Sequence, residues 1–581
     1  MIQRFHFAIA LVLAARFPAI VDAQEAHHPE ITIAHPGVAG LKADLEKLLS
    51  YTTPQEREQL QNVIDFVDLF AFGLDPDRPI RVDMLTGVTP TPYVVSAAYK
   101  NDPELAEANA KPEDQLMENL DSNYITRKVA DNLFELLPPD QGWLRLIPGM
   151  QSAILVLTTE EDHALLKQLI QKMADPLATS TSILEGGGNI GIGLQNKALT
   201  AEDQTKRAES FSEIRALRLD AIQKRPSESA TAYDLRKGFV DNQLDELQRL
   251  LVEGLNLKAV AFLNSSDDTA AIRFSGEAIP ETSLDKSIRL FHQNKDRFAS
   301  IAPLEDSVLS GRMNHPVDEL RQKNAAETRE LMRKDVEDRI AKAAKLNDVQ
   351  KKAAQQLFDE ISTLVLDGLN SGYVNGFIES KLDDQGKFVT VGAVSSVNGQ
   401  RLNDTLKLVS QTGEGNTFES GVAKVGDIDI HRIKLSSGFV ELFDRIVGDE
   451  QEFYIGVSSD VTWFATGTDS LELLKKTAEG LKQPEDTDVI IKVDAHLLPW
   501  VRHWEKVAKE KPEPTAVEDK QPWRDRIRRL GQAVESYRDK DDLHIDMKAE
   551  NGKLSGEIQF NTGTLRFVGK LISTFSKENF E

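Results

Sequence analysis

Two stretches of this chain run through the same succession of elements, and that recurrence constrains the fold more than any single motif. Ser152 to Thr158 is an apolar run of strand character, residues 159–162 turn it, and an amphipathic helix follows from Ala164. Val461 to Thr466, Gly467 to Asp469 and Leu471 to Lys476 repeat that order. Thr159 and Thr468 are the expected N-caps, with acidic residues in the first turn, where the helix dipole favours them. A further strand follows in each stretch (Asn189 to Leu194, Asp488 to Val493), then a polar, partly helical segment (196–236, 495–522) and a helix (Phe239 to Leu251, Trp523 to Tyr537). Each stretch ends in a hairpin and a short helix. The second hairpin turns at Asn551-Gly552 between alternating runs, a strong hairpin signal. Five consecutive elements in the same order predict an internal duplication in which Leu166 matches Leu474 and Phe274 matches Phe560.

His35-Pro36 and His315-Pro316 precede the helices expected to open the two copies, since proline suits the first helical position. Residues 317–366 predict a long exposed helical arm laced with i,i+4 ion pairs and broken near Leu346-Asn347. Phe388 to Val397 alternates and ends at Asn398-Gly399, and hairpins follow at 421–433 and 452–466. Sequential hairpins with one apolar face imply an antiparallel sheet covered by helices on that face. The expected class is α+β: two tandem diverged copies, each an antiparallel sheet packed with helices, plus the charged arm. The expected boundaries are a signal peptide at 1–23, a disordered N-terminus at 24–35, the first copy at 36–295, linker and arm at 296–370, and the second copy at 371–581 with a mobile loop at 506–521.

The address rests on the N-terminus. Arg4 precedes a short apolar run from Phe7 to Ala15, and Val21-Asp22-Ala23 has the small-x-small pattern of a cleavage site. That run is too short to span a bilayer, and no later stretch is long and apolar enough to do so. The expected location is therefore the periplasm or the cell exterior. The chain has no cysteine, which removes disulfides, thiolate metal sites, thiol nucleophiles and lipoprotein anchoring. A net charge of -24 argues against nucleic acid as a partner, because phosphate neutralisation needs clustered Lys and Arg.

The motifs are weak. Gly186 to Gly191 matches GxGxxG, but a strand follows it where a dinucleotide site needs a helix. None of the 11 histidines falls in an HExxH pattern. His496 and His503 share a face only if their stretch is helical, and His431 and His544 fall on the polar faces of alternating strands. The acidic clusters lack calcium-loop spacing, and no nucleophile elbow appears. The sequence assigns no catalytic, cofactor-binding or metal-ligating residue.

The signal peptide, the missing cysteines and the unit FYIGVSSDVTWFATGTDSLELLKK (453–476) together resemble uncharacterised secreted proteins of planctomycete-like bacteria. The resemblance carries no reaction and no functional residue. The expected function is an exported, non-enzymatic binding protein of the envelope, its partner an apolar ligand or an envelope component. The alternatives are an interaction protein using the 317–366 arm and a hydrolase whose site assembles only in space.

Overall fold

The computed structural model describes residues 31–50, 74–84, 93–100, 111, 116–117, 125–137, 142–157, 163–185, 187–196, 201–225, 228–264, 269–293, 295–344, 346–435, 452–510 and 540–565. The expected signal segment, residues 511–521 of the expected loop, and the helix expected at Trp523 to Tyr537 lie outside them. The chain is an α+β protein that divides into two units, Met1–Arg218 with Leu247–Leu284, and Leu219–Glu246 with Asp285–Glu581.

The first unit contains β1 (Ile31–His35), β2 (Ile80–Met84), β3 (Tyr93–Ala98), β4 (Ile125–Ala130), β5 (Leu133–Leu137), β6 (Gly142–Ile147), β7 (Ser152–Leu157), β8 (Ile190–Gln195), β9 (Gly254–Asn264) and β10 (Thr269–Ala278). Its helices include α1 (Val38–Ser50), α2 (His163–Lys172) and α3 (Ala201–Asp220), together with the end of α4 (Ala230–Glu253). Its antiparallel pairings run in the order β4-β5-β6-β7-β3-β2-β1-β8-β9-β10.

The second unit has a two-residue pair, β11 (Lys295–Asp296) with β19 (Glu485–Asp486). Its main strands are β12 (Ser307–Pro316), β13 (Tyr373–Leu382), β14 (Phe388–Ser395), β15 (Thr417–Val425), β16 (Ile428–Lys434), β17 (Glu452–Val457), β18 (Val461–Thr466), β20 (Val489–His496), β21 (Asp542–Glu550) and β22 (Lys553–Asn561). They pair antiparallel in the order β15-β16-β17-β18-β14-β13-β12-β20-β21-β22. Numbered from its own first main strand, this is the strand order of the first unit. Its helices include the part of α4 through Glu246, α5 (Glu319–Lys342), α6 (Asp348–Asn370), α7 (Gly399–Leu406), α8 (Ser470–Glu479) and α9 (Leu497–Glu510).

The correspondence reaches individual side chains. In the first unit α2 buries Leu166 and Ile170 against Val94, Ile154 and Val156. In the second, α8 buries Leu474 and Ala478 against Val391, Ile430 and Trp463. A buried carboxylate sits on the second strand of each sheet opposite a hydroxyl on the first: Thr32 faces Asp83, and Ser310 faces Glu379. The Thr32 hydroxyl donates to Asp83 at 2.6 Å, and the Ser310 hydroxyl to Glu379 at 2.8 Å. One step along each ladder, the facing pairs are Ala34–Arg81 and Arg312–Phe377, so an arginine occupies the same level from opposite strands. Each arginine reaches its unit's carboxylate and also a loop carbonyl, Arg81 to Pro176 O at 2.7 Å and Arg312 to Phe298 O at 3.2 Å. Burial raises both carboxyl pKa values above their ordinary range.

Several expectations change. Ile31–His35 is a buried strand, where a disordered N-terminus was expected. Ser307–Pro316 lies between β13 and β20 inside the second sheet, where a linker was expected. Its polar residues hid it: Ser310 and Arg312 serve buried Glu379 and break the apolar alternation. Each His-Pro closes a strand or follows one, and Pro316 precedes an N-cap at Asp318. Asp469 holds the N-cap position of α8, while the Thr468 hydroxyl donates to Asp383 at 2.8 Å. Residues 506–510, expected in a mobile loop, end helix α9.

The second sheet is covered on both faces here. Ile428 and Ile430 pack with Trp463 and Leu474, whereas Ile433 and Val457, on the opposite face, pack with Leu406 and Val409. His431 therefore points into a second core instead of water and is 3% exposed. Gly421 N–H donates to its Nδ1 at 3.2 Å, so Nε2 carries the hydrogen given to Asn403 Oδ1 at 2.8 Å. Burial, and secondarily Lys407, hold its pKa below the ordinary 6.5 against the pull of Asp429. A depressed histidine contributes stability that is present above its unfolded value and lost as pH falls through the folded one. The urea midpoint should therefore drop as pH falls below about 6.5, and His431→Gln should flatten that decline. Part of the decline should persist, because burial and Arg321 also hold His315 low. An unchanged slope in the variant would exclude His431 as its source.

Candidate functional site

The second unit carries an apolar groove built by three helical segments: the part of α4 through Glu246, α5 and α6. Local chemistry sets each helix. Asp318 caps α5 by accepting Arg321 N–H at 3.1 Å, and Asn347 and Gln350 form a capping box at the start of α6. The break expected near Leu346-Asn347 is thus a turn between two antiparallel helices, with Lys351 reaching Ala341 O and Arg329 reaching Ser362 and Thr363. Residues 317–366 do not form one projecting arm. α5 and α6 pack on each other, and the far side of α6 joins the second core through Leu357.

Polar contacts stitch the flanks. Arg321 forms a two-pronged bond to Glu246 at 2.8 and 3.1 Å, and Asn242 donates to Thr328 at 2.8 Å. Asn324 donates to Asp245 at 3.1 Å. Gly238 lets α4 lie against α5, since a Cβ there would stand 2.4 Å from Leu331 Cδ1. Between these flanks Met332, Phe358, Ile361, Val365, Leu366 and Leu369 line a cavity of about 460 Å³. That volume lies in the ligand-pocket range of roughly 300–1,000 Å³. Met332, Ile361 and Val365 are 39%, 38% and 57% exposed, an apolar surface that folding leaves open.

The histidines singled out from sequence do not join the groove. His496 ends β20 and His503 lies inside α9, so they do not share a helical face. His503 meets the Phe388 ring edge-on, and Phe388 stacks on Trp500 at 4.1 Å. His496 Nδ1 lies 2.8 Å from Asp542 and 3.6 Å from Asp541. These carboxylates already have work: Asp541 accepts Leu498 N–H at 2.6 Å to start α9, and Asp542 accepts Asn561. His544 pairs with Asp494 across neighbouring strands. Gly188 to Gly191 runs into β8, the context that disfavours a dinucleotide site. The groove escaped sequence reading because its walls come from three separate segments, the first more than a hundred residues from the last, and α5 by itself is polar on nearly every face.

No helix among the described residues is long and apolar enough to cross a membrane. Comparison with protein-family models, curated proteins and solved structures finds no match, so the functional reading rests on the groove's own geometry.

Proposed function

We propose that this chain is an exported, non-enzymatic binding protein of the bacterial envelope, and that the groove between α4, α5 and α6 holds an apolar ligand. One observation carries the reading: large aliphatic and aromatic side chains line a cavity of about 460 Å³ whose flanks are fixed by polar bonds. Such a site is preformed, so binding need not order it first. The leader pattern at 1–23 supports export. We further propose that the two units descend from one duplicated ancestor. The shared strand order, the matched Leu166 and Leu474, and the carboxylate–hydroxyl pairs at matching register support this.

The test is a titration of the purified full chain with the uncharged dye Nile red. Saturable binding at one site is expected. Val365→Asp should weaken it by about tenfold or more, since a carboxylate would have to be desolvated against the dye. Val365 is 57% exposed, so the variant should keep its urea midpoint. Equal binding by both proteins removes the groove as the site.

A further inference from the structure

The groove's charged residues are not equivalent. Arg321 is consumed by its own neighbours, with Glu246 on two prongs, Asp318 at 3.3 Å and the Ser287 hydroxyl at 3.0 Å. The hydrogen-bond partners of Arg329 are neutral, and the adjacent Glu330 acts on it only through its charge. Its Nε donates to Ser362 Oγ at 3.1 Å and its Nη2 to Thr363 Oγ1 at 2.9 Å, and it makes no ion pair among the described residues. The residues three and four positions away on its helix are Ala325, Ala326, Met332 and Arg333, so no carboxylate stands at the spacing that favours an intrahelical ion pair. Neighbouring Glu330 is taken by Arg333 and Lys334.

This is unusual for its surroundings. α5 is crowded with satisfied pairs, such as Arg339–Asp335 and Lys342–Asp338, and the chain carries 24 more acidic than basic residues. A half-buried guanidinium beside apolar surface loses hydration, and only an anion compensates that loss well. Its orientation is also fixed. Ser362 and Thr363 each donate their hydroxyl hydrogen to Asp359 O, at 3.1 and 2.7 Å, which leaves oxygen lone pairs for Arg329. Two of the five guanidinium N–H groups are used, and the remaining donors suit a carboxylate or phosphate.

Resting on the groove being an apolar-ligand site, we propose that Arg329 is its head-group site and that the ligand is a single-chain amphiphile with an anionic head. From Arg329, Val365, Leu366 and Leu369 continue along α6 in one direction and Phe358 and Met332 lie in the other. A head group on the guanidinium therefore has apolar wall beside it for the tail.

The test is displacement of Nile red from the full chain by dodecanoate, dodecyl phosphate and uncharged dodecanol, each below its aggregation limit. At least one anionic compound should bind about tenfold or more tighter than dodecanol, and which one separates a carboxylate from a phosphate ligand. Added salt should weaken the anion and spare the alcohol. Arg329→Gln should abolish the preference of the anions over dodecanol, and Arg329→Lys should retain part of it. Dodecanol and both anions binding alike, or a preference that survives Arg329→Gln, overturns the head-group site while leaving the groove reading intact. Failure of Nile red itself to bind overturns that reading instead. A concentration-dependent dimer in sedimentation, dispersed by Val365→Asp, would assign the groove to a second copy and overturn the amphiphile.

Discussion

Arg312→Ala should destabilise the second unit by about 3–5 kcal/mol, the size expected when a buried ion pair loses one partner. Glu379 is fully buried, and Arg312 is 13% exposed at 3.6 Å from it. The guanidinium also donates to Phe298 O and Ile301 O and lies 4.9 Å over the Phe377 ring. Truncation would strand a buried carboxylate and two loop carbonyls together. The sign with pH follows from Glu379. Burial holds its pKa above the ordinary 4.5, even with donors from Ser310 and Leu304 and the charge of Arg312. A raised carboxyl contributes stability that is present below its unfolded value and lost as pH rises through the folded one. The deficit of the variant should accordingly be largest at neutral pH and shrink as pH falls toward 4.5. Adding Glu379→Gln should recover much of it. Urea midpoints of the four proteins of this cycle, taken at two pH values, decide the matter; a pH-independent deficit would mean that lost packing dominates. Arg81→Ala tests the matching arrangement around Asp83 in the first unit.

Trp463→Ala should cost a similar 3–5 kcal/mol, the range for removing a large aromatic from a closed core. Trp463 is fully buried on β18 and meets the rings of Phe298 and Phe377 edge-on, at 6.1 and 5.8 Å. Leu474 of α8 closes the same cluster, so the cavity would open between sheet and helix. Trp463→Phe should cost markedly less than the alanine variant. Its indole N–H has no hydrogen-bond partner among the described residues, and phenylalanine deletes that buried donor along with some volume. Equal losses for the two variants would overturn the cavity account, since phenylalanine keeps most of the ring volume that alanine deletes.

The parts of the fold visible in sequence are those fixed within a few residues. The hairpin β21–β22 turns at Asn551 and Gly552, both in the left-handed region, and the β15–β16 hairpin turns at Gly426 with positive φ. The helix after β18 follows Gly467, whose φ of +98° and close approach to Phe388 O exclude a side chain there. The strands β12 and β1 were obscure for the opposite reason. Their neighbours in the sheet are β13 and β20, or β2 and β8, far away along the chain, and their polar residues look like loop until Glu379 or Asp83 is set opposite them.

By itself, then, the sequence determined the α+β class, the hairpins, and the strand–turn–helix order at Val461, because period and turn chemistry act over a handful of residues. Only the tertiary structure decided that a second face of the sheet is covered, which buries His431. Only it showed that the 317–366 segment folds back into a helical pair, and that this pair and α4 enclose an apolar groove with one unpaired guanidinium. Those outcomes depend on which surfaces meet after long loops close, and no local pattern encodes the partner.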